Sequence, residues 1–269
     1  MSSLLITNLV YRKGIKMKII IAPAKIMKID RDSFPVQSKP EFLTKTRILE
    51  HFLKSRTKEQ LDTLWHASQK VTEQSILQLK NMDLDDRLTP AILAFSGIQY
   101  QYMAPDIFTQ PALDYIQKNL RILSGFYGIL RPFDGVCPYR LELNTKMIGF
   151  RDYSLYHFWG DDIANSLFKE DDTVINLASK QYMRLIKPYL NEKRRMITID
   201  FQELKNGEWK TVGVHAKMAR GEMVRFMAEN QIKNPADLRD FHDFEFQFEP
   251  EVSSDDHYIF RTAFDFSQR

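Results

Sequence analysis

The sequence predicts a mixed α/β fold in a single domain. Short β-rich apolar runs at Lys18–Ala22, Thr173–Leu177 and Met196–Phe201 have the length and branching of buried strands. Between them, apolar residues recur at helical spacing over long stretches. No internal repeat, low-complexity segment or linker divides the 269 residues, a length that suits one large domain or two small ones.

Taken in order, the first run is broken by Pro23 and is expected to be a buried strand ending in a loop. Residues Ile26 to Pro40 lack periodicity and read as an irregular connection. In Glu41–Ser55 the residues Phe42, Ile48, Leu49, Phe52 and Leu53 fall roughly on one helical face. Thr57 and Gln60 have the spacing of a capping box opening a helix through Leu64 and Ala67. Ser68–Leu79 reads as a third helix, and Thr89-Pro90 opens a fourth with proline in its first turn. A helix starting at Pro111 carries Leu113, Ile116, Leu120 and Leu123 into the turn Ser124-Gly125-Phe126-Tyr127-Gly128. Leu155–Phe168 reads as one helix and Ala216–Asn230 as another. Asn206-Gly207 marks a turn, with Trp209–Val214 as the returning hairpin partner of Met196–Phe201. The end, Phe244–Phe266, alternates enough for two short strands around Ser253–Asp256.

Composition removes several classes. With 43% hydrophobic and 27% charged residues the chain can build a core, which excludes wholesale disorder. No run approaches the ~18 apolar residues of a membrane-spanning helix, so no membrane partner is expected. One cysteine, Cys137, excludes an intramolecular disulfide and a cysteine-built metal site, and points to a reducing, cytoplasmic location. No metal and no cofactor is expected. The net charge of +3 comes from Arg12, Lys13 and Lys16, because the first sixteen residues hold no acid and the remainder balances at 35 against 35. In that leader the apolar stretch precedes the basic residues, the reverse of a secretory signal. Residues 1–16 are therefore expected to be a start-site artefact or loose tail, with the domain on 17–269. Locally the charge is uneven: eleven bases face five acids between Lys180 and Arg225, and the sign reverses after Asp237. Such asymmetry makes an anion-binding face or simply solvates two surfaces.

Four constellations can carry chemistry. Gly125 and Gly128, flanked by Arg131 and Arg140, suit a phosphate held by turn amides and a guanidinium fork, or else a plain glycine cap before a proline-braced loop. Lys25, just past the first strand, is placed to contact phosphate or act as a nucleophile, or is a solvated lysine. Lys217 and Arg220 are neighbours on one helical face, either around an external anion or as an exposed basic helix. His157 and Asp161, four apart, permit a metal or acid–base pair on a helix; an acidic helix start beside a packing Trp159 is the plainer alternative. The small polar groups of Asn176–Ser179, with Tyr182 beyond, sit at a strand end. Neither a P-loop, a GxGxxG after a strand, a GxSxG elbow nor an HExxH occurs.

Together the segments IAPAK (Ile21–Lys25), AFSGIQY (Ala94–Tyr100), LSGFYGILRPFD (Leu123–Asp134), PYRLE (Pro138–Glu142), FWGD (Phe158–Asp161), INLAS (Ile175–Ser179) and KMARG (Lys217–Gly221) resemble the YaaA family of bacterial peroxide-stress-resistance proteins. The resemblance spans essentially all of 17–269. It implies a single α/β domain of unusual topology with a basic cleft, and a helix-hairpin-helix-like element. It also implies duplex or distorted DNA as a ligand, and a role in limiting iron-dependent oxidative damage. On this chain the hairpin would fall on Ser124–Gly128, although GFYG has two residues between its glycines where one is usual.

Two readings of function follow. In the first, a DNA-binding protein of little sequence preference grips phosphates with Lys25, Arg131, Arg140, Lys217 and Arg220 lining a cleft. The turn from Ser124 through Gly125, Tyr127 and Gly128 would add its amides. In the second, an enzyme acts on a nucleotide or damaged nucleobase. Lys25 is then nucleophile or phosphate clamp, Glu142 or Asp161 general acid–base, and Tyr100 or Tyr127 a stacking platform. A closed pocket joining Lys25, Lys217 and a carboxylate discriminates the second from the first. Direct iron binding through His157 and Asp161 is a third, minor reading.

Overall fold

Met17–Ile21 forms β1, buried along its whole length, as expected of a parallel strand covered on both faces. The computed structural model describes residues 17–169 and 171–268, so the expectation for the first sixteen residues lies outside the described chain. The two-residue strand β2 (Ile26–Met27) is followed by three helices, α1 (Leu43–Lys54), α2 (Lys58–Trp65) and α3 (Gln69–Lys80). The capping box on α2 forms as read: the Gln60 amide donates to Thr57 Oγ1 at 3.3 Å and the Thr57 amide to Gln60 Oε1 at 3.0 Å.

The next segment holds β3 (Thr89–Pro90), the single-turn α4 (Ala91–Ala94), β4 (Phe95–Ser96), α5 (Ile98–Met103) and α6 (Gln110–Asn119). It continues into β5 (Leu120–Ser124), β6 (Gly128–Leu130) and β7 (Gly135–Val136). The second half contains α7 (Leu155–Trp159), α8 (Asp162–Leu167), β8 (Thr173–Leu177), α9 (Lys180–Met183) and β9 (Arg195–Lys205). It ends with β10 (Glu208–Lys210), α10 (Gly213–Glu229), β11 (Gln247–Phe248) and β12 (His257–Thr262).

The result is a mixed α/β domain around a mostly parallel sheet in the order β11-β12-β9-β8-β1-β5-β6, with β10 added to β9. Strands β12, β9, β8, β1 and β5 run parallel, while β6 and β11 close the two edges antiparallel. Under β9 and β12, the rings of Phe201, Phe241, Phe246 and Phe260 pack with centroids 5.1–5.9 Å apart and tie the C-terminal strand pair to the core. No helix among the described residues is long and apolar enough to cross a membrane.

Three sequence expectations are corrected. The helix from Pro111 stops at Asn119, and Leu120–Ser124 is a strand whose Leu120 pairs with Ile19 of β1. Leu113, Ile116, Leu120 and Leu123 fit a helical stripe, but burial of Leu120, Ile122, Leu123 and Ser124 in the sheet outweighs that pattern. The helix read over Leu155–Phe168 is two, interrupted at Gly160 with φ +51°. The helix-hairpin-helix expected at Ser124–Gly128 is instead a β-hairpin turn between β5 and β6. Its residues are buried: Ser124 Oγ accepts the amides of Phe126 and Tyr127, and Trp159 Nε1 donates to Gly125 O at 3.1 Å. A Cβ at Gly125 would lie 2.6 Å from the Leu141 carbonyl, so glycine is needed for close packing, not for reaching a phosphate.

Candidate functional site

β1 passes the chain towards β5 on one side, while β8 passes it to β9 on the other. The C-terminal ends of β1 and β8 are therefore a topological switch point, where connections leave in opposite directions and a crevice opens. Pro23 ends pairing beyond β1, and Tyr100 Oη donates to the Ala22 carbonyl at 3.0 Å, holding the loop that carries Lys25. After β8, Asn176 Oδ1 accepts the Ala178 amide at 3.0 Å and turns the chain into Ser179 and α9.

A cavity of about 510 Å³ lies there, bordered by the loops after both strands, by α5, by residues 139–142 and by α10. Glu142 bridges two cations in its wall: Oε2 lies 2.9 Å from Lys25 Nζ and Oε1 3.5 Å from Arg140 Nη2. Lys217 and Arg220 of α10 line the same cavity, whose lining holds four cationic side chains and one carboxylate. Burial depresses the Arg220 guanidinium below its ordinary value, with Asp200 pulling the other way. The phenols of Tyr100, Tyr139 and Tyr182 are pushed well above the usual tyrosine range, chiefly by burial. They act as neutral hydrogen-bonding groups and flat walls rather than as bases.

The donors in this wall are undersupplied with acceptors. Among the described residues, five buried side-chain polar atoms have no hydrogen-bond partner: Trp65 Nε1, Thr72 Oγ1, Gln99 Nε2, Arg140 Nε and Arg220 Nε. Gln99, Arg140 and Arg220 all line this one cavity. A buried donor left unpaired costs about 1–3 kcal/mol, and such exceptions need a local reason. All three are N–H groups buried within the walls of this cavity.

Lys25, Tyr100, Arg140, Glu142, Lys217 and Arg220 all line this one cavity. The structure separates the rest of the expected set. Arg131 is exposed at the opposite end of the sheet, on a different cavity beside Met17 and Lys18. Ser124, Gly125, Tyr127 and Gly128 lie buried behind the site, where Ser124 Oγ meets Tyr139 Oη at 2.7 Å and supports its wall. Asp161 is the N-cap of α8 and accepts from Asn165 Nδ2 at 2.9 Å, outside the cavity. The break at Gly160 puts His157 and Asp161 on different helices, so the paired spacing fails. Among the described residues no group of three or more His, Cys, Asp and Glu is arranged to hold a metal ion. Sequence reading missed Gln99 and Tyr139; each lay inside a motif, but neither residue type announces itself as a site.

Cys137 is a buried free thiol. It is 7% exposed, and burial pushes its thiol up to about 11, against which its bond with Tyr127 works only partly. At pH 8 iodoacetamide is expected to label native protein about a hundredfold more slowly than urea-unfolded protein, whose thiol titrates near 8.5. Equal rates would show an accessible thiolate.

The family model described as "Peroxide stress protein YaaA" matches residues 17–252. A UPF0246 protein of Lactobacillus acidophilus is 87% identical over 252 residues, covering 94% of this chain and all of that relative. UPF0246 proteins of Lactobacillus johnsonii and Lactiplantibacillus plantarum are 56% and 50% identical, each over 91% of this chain and 97% and 98% of their own length. With the match running from β1 into the C-terminal segment, the chain belongs to the peroxide stress protein YaaA family.

Proposed function

We propose that this protein acts in the peroxide stress response by binding a nucleotide-like anion in the switch-point cavity. One observation carries the reading: the four cationic side chains Lys25, Arg140, Lys217 and Arg220 line one cavity where the parallel strands β1 and β8 end. A volume of about 510 Å³ falls in the range of small-molecule sites, roughly 300–1,000 Å³. Arg140 and Arg220 supply guanidinium forks for phosphate, and the tyrosine walls offer a face for a flat base. Lys25, 68% exposed and paired with Glu142, suits a phosphate clamp better than a desolvated nucleophile. An incoming phosphate competes with Glu142 for Lys25 and Arg140, and so releases that carboxylate beside the ligand as a general base.

DNA binding is the second reading, favoured by the exposed Lys25 and Lys217 on the rim. A nucleotide extruded from a distorted duplex would place its own phosphate in the same cavity. Competition separates the two. In fluorescence anisotropy with mismatched duplex, intact duplex and single strand, AMP is expected to displace whichever strand binds. Strand binding that millimolar AMP leaves untouched would place DNA elsewhere on the protein and remove the cavity from that role.

A further inference from the structure

A second, smaller cavity of about 270 Å³ shares three walls with the first: Lys25, Arg140 and Glu142 border both. Its other face comes from the C-terminal end of α2, with Trp65 and His66, and from residues 144–146, ending in Lys146. Trp65 is 6% exposed, and its buried indole N–H is another of the five donors without a partner. Four of those five atoms therefore belong to residues bordering two abutting cavities, and the fifth, Thr72 Oγ1, belongs to neither. The balance of charge in the smaller cavity is also basic: Lys25, Arg140 and Lys146, with His66 as a further donor, face Glu142.

A nucleotide with one phosphate, held in the larger cavity as proposed above, would leave the basic side chains of the smaller one without an anion. We infer that the smaller cavity is a second phosphate subsite, so that the ligand class is a nucleoside flanked by two phosphates. The nucleoside and one phosphate occupy the larger cavity, and Lys25 and Arg140 stand between the two anions. The second phosphate meets the Lys146 and His66 side chains, which offset the negative C-terminal pole of α2. The inference rests on the nucleotide reading above and adds the second anion to it. Two sources share this chemistry: a free nucleoside 3′,5′-bisphosphate, and an internal nucleotide of a single strand.

Calorimetric titration of the full chain with AMP, adenosine 3′,5′-bisphosphate and the dinucleotide pApA tests it. The bisphosphate is expected to bind about ten- to hundredfold more tightly than AMP, the gain of one further charge-assisted contact set. Lys146→Met and Trp65→Phe are expected to abolish that gain while leaving AMP binding unchanged. Lys146 is exposed, so its variant folds even where the buried Trp65→Phe does not. A gain shown by pApA as well assigns the subsite to strands; a gain confined to the bisphosphate assigns it to the free molecule. A bisphosphate no tighter than AMP, or a gain that survives Lys146→Met, overturns the second subsite and leaves the first intact. Binding of none of the three overturns both.

Discussion

Gly221→Ala is expected to destabilise the protein by about 3 kcal/mol or more, and to abolish ligand binding with it. Gly221 faces α5 from the middle of α10, and a Cβ there would run into the Gln99 carbonyl and come within 2.9 Å of the Met103 amide. Both obstacles are backbone, so no side chain can swing aside and the two helices must separate. Overpacking of this kind costs about 1–3 kcal/mol where side chains can yield, and more where they cannot. The site suffers beyond stability, because Gly221 adjoins Arg220 on α10 while α5 carries Gln99 and Tyr100. Gly213→Ala is the control: nothing lies within 4 Å of its added Cβ, and the change is expected to stay within about 0.5 kcal/mol. Urea unfolding of the two variants decides the matter, and a Gly221→Ala midpoint equal to wild type would show that α10 does not pack as described.

The second large effect lies at the other end of the sheet. Lys18 Nζ sits 2.6 Å from Asp171, with both side chains under a tenth exposed, and also donates to the Lys118 carbonyl at 3.3 Å. Asp171→Ala removes a carboxylate from a buried ammonium that keeps other partners, and breaking a buried pair in this way costs up to about 3–5 kcal/mol. Replacing both partners by apolar residues of similar size removes the desolvation cost along with the attraction. The double variant Lys18→Met, Asp171→Leu is therefore expected to recover most of the loss. A double variant as unstable as Asp171→Ala would show that the pair contributes more than it costs to bury. Neither change touches the switch-point cavity, so nucleotide binding by folded protein is expected to survive both.

Much of this fold was legible in the chain because its signals are local. Runs such as Met17–Ile21 and Thr173–Leu177 are dense in β-branched residues and buried along their whole length, as covered parallel strands are. The Thr57–Gln60 box and the Asn206-Gly207 turn depend on residues within a few positions of each other. The errors fall where the deciding partner is distant in sequence. Leu120–Ser124 kept a helical spacing and became a strand because β1, a hundred residues earlier, offered it a ladder. SGFYG has the glycines of an exposed amide nest, yet Phe126 and Tyr127 inside it are large apolar groups that pull the turn into the core. Those two rings were the available signal against a phosphate turn.

The site divides in the same way. Lys25 is marked by its place after a strand, Lys217 and Arg220 by a shared helical face, Arg140 by the glycine turn it flanks and Glu142 as a candidate carboxylate, and the topology brings them to one cavity. Arg131 was grouped with Arg140 by closeness in sequence, but β6 runs antiparallel to β5 and carries it back to the far end of the sheet. The pairing of His157 with Asp161 assumed a continuous helix, which Gly160 interrupts. Gln99 became visible only through what its amide lacks, a partner, and no spacing rule reports that.

The most direct test compares Arg140→Met with Arg131→Met in calorimetric titration with AMP at low and moderate salt. Arg140 carries a buried Nε without a partner, so its replacement by methionine is expected to leave stability unchanged or raise it by about 1 kcal/mol. The same variant is expected to lose AMP binding, while Arg131→Met binds as wild type does and keeps its salt dependence. An Arg140→Met protein that binds AMP normally, or an Arg131→Met protein that does not, would contradict the assignment of the site to the switch-point cavity.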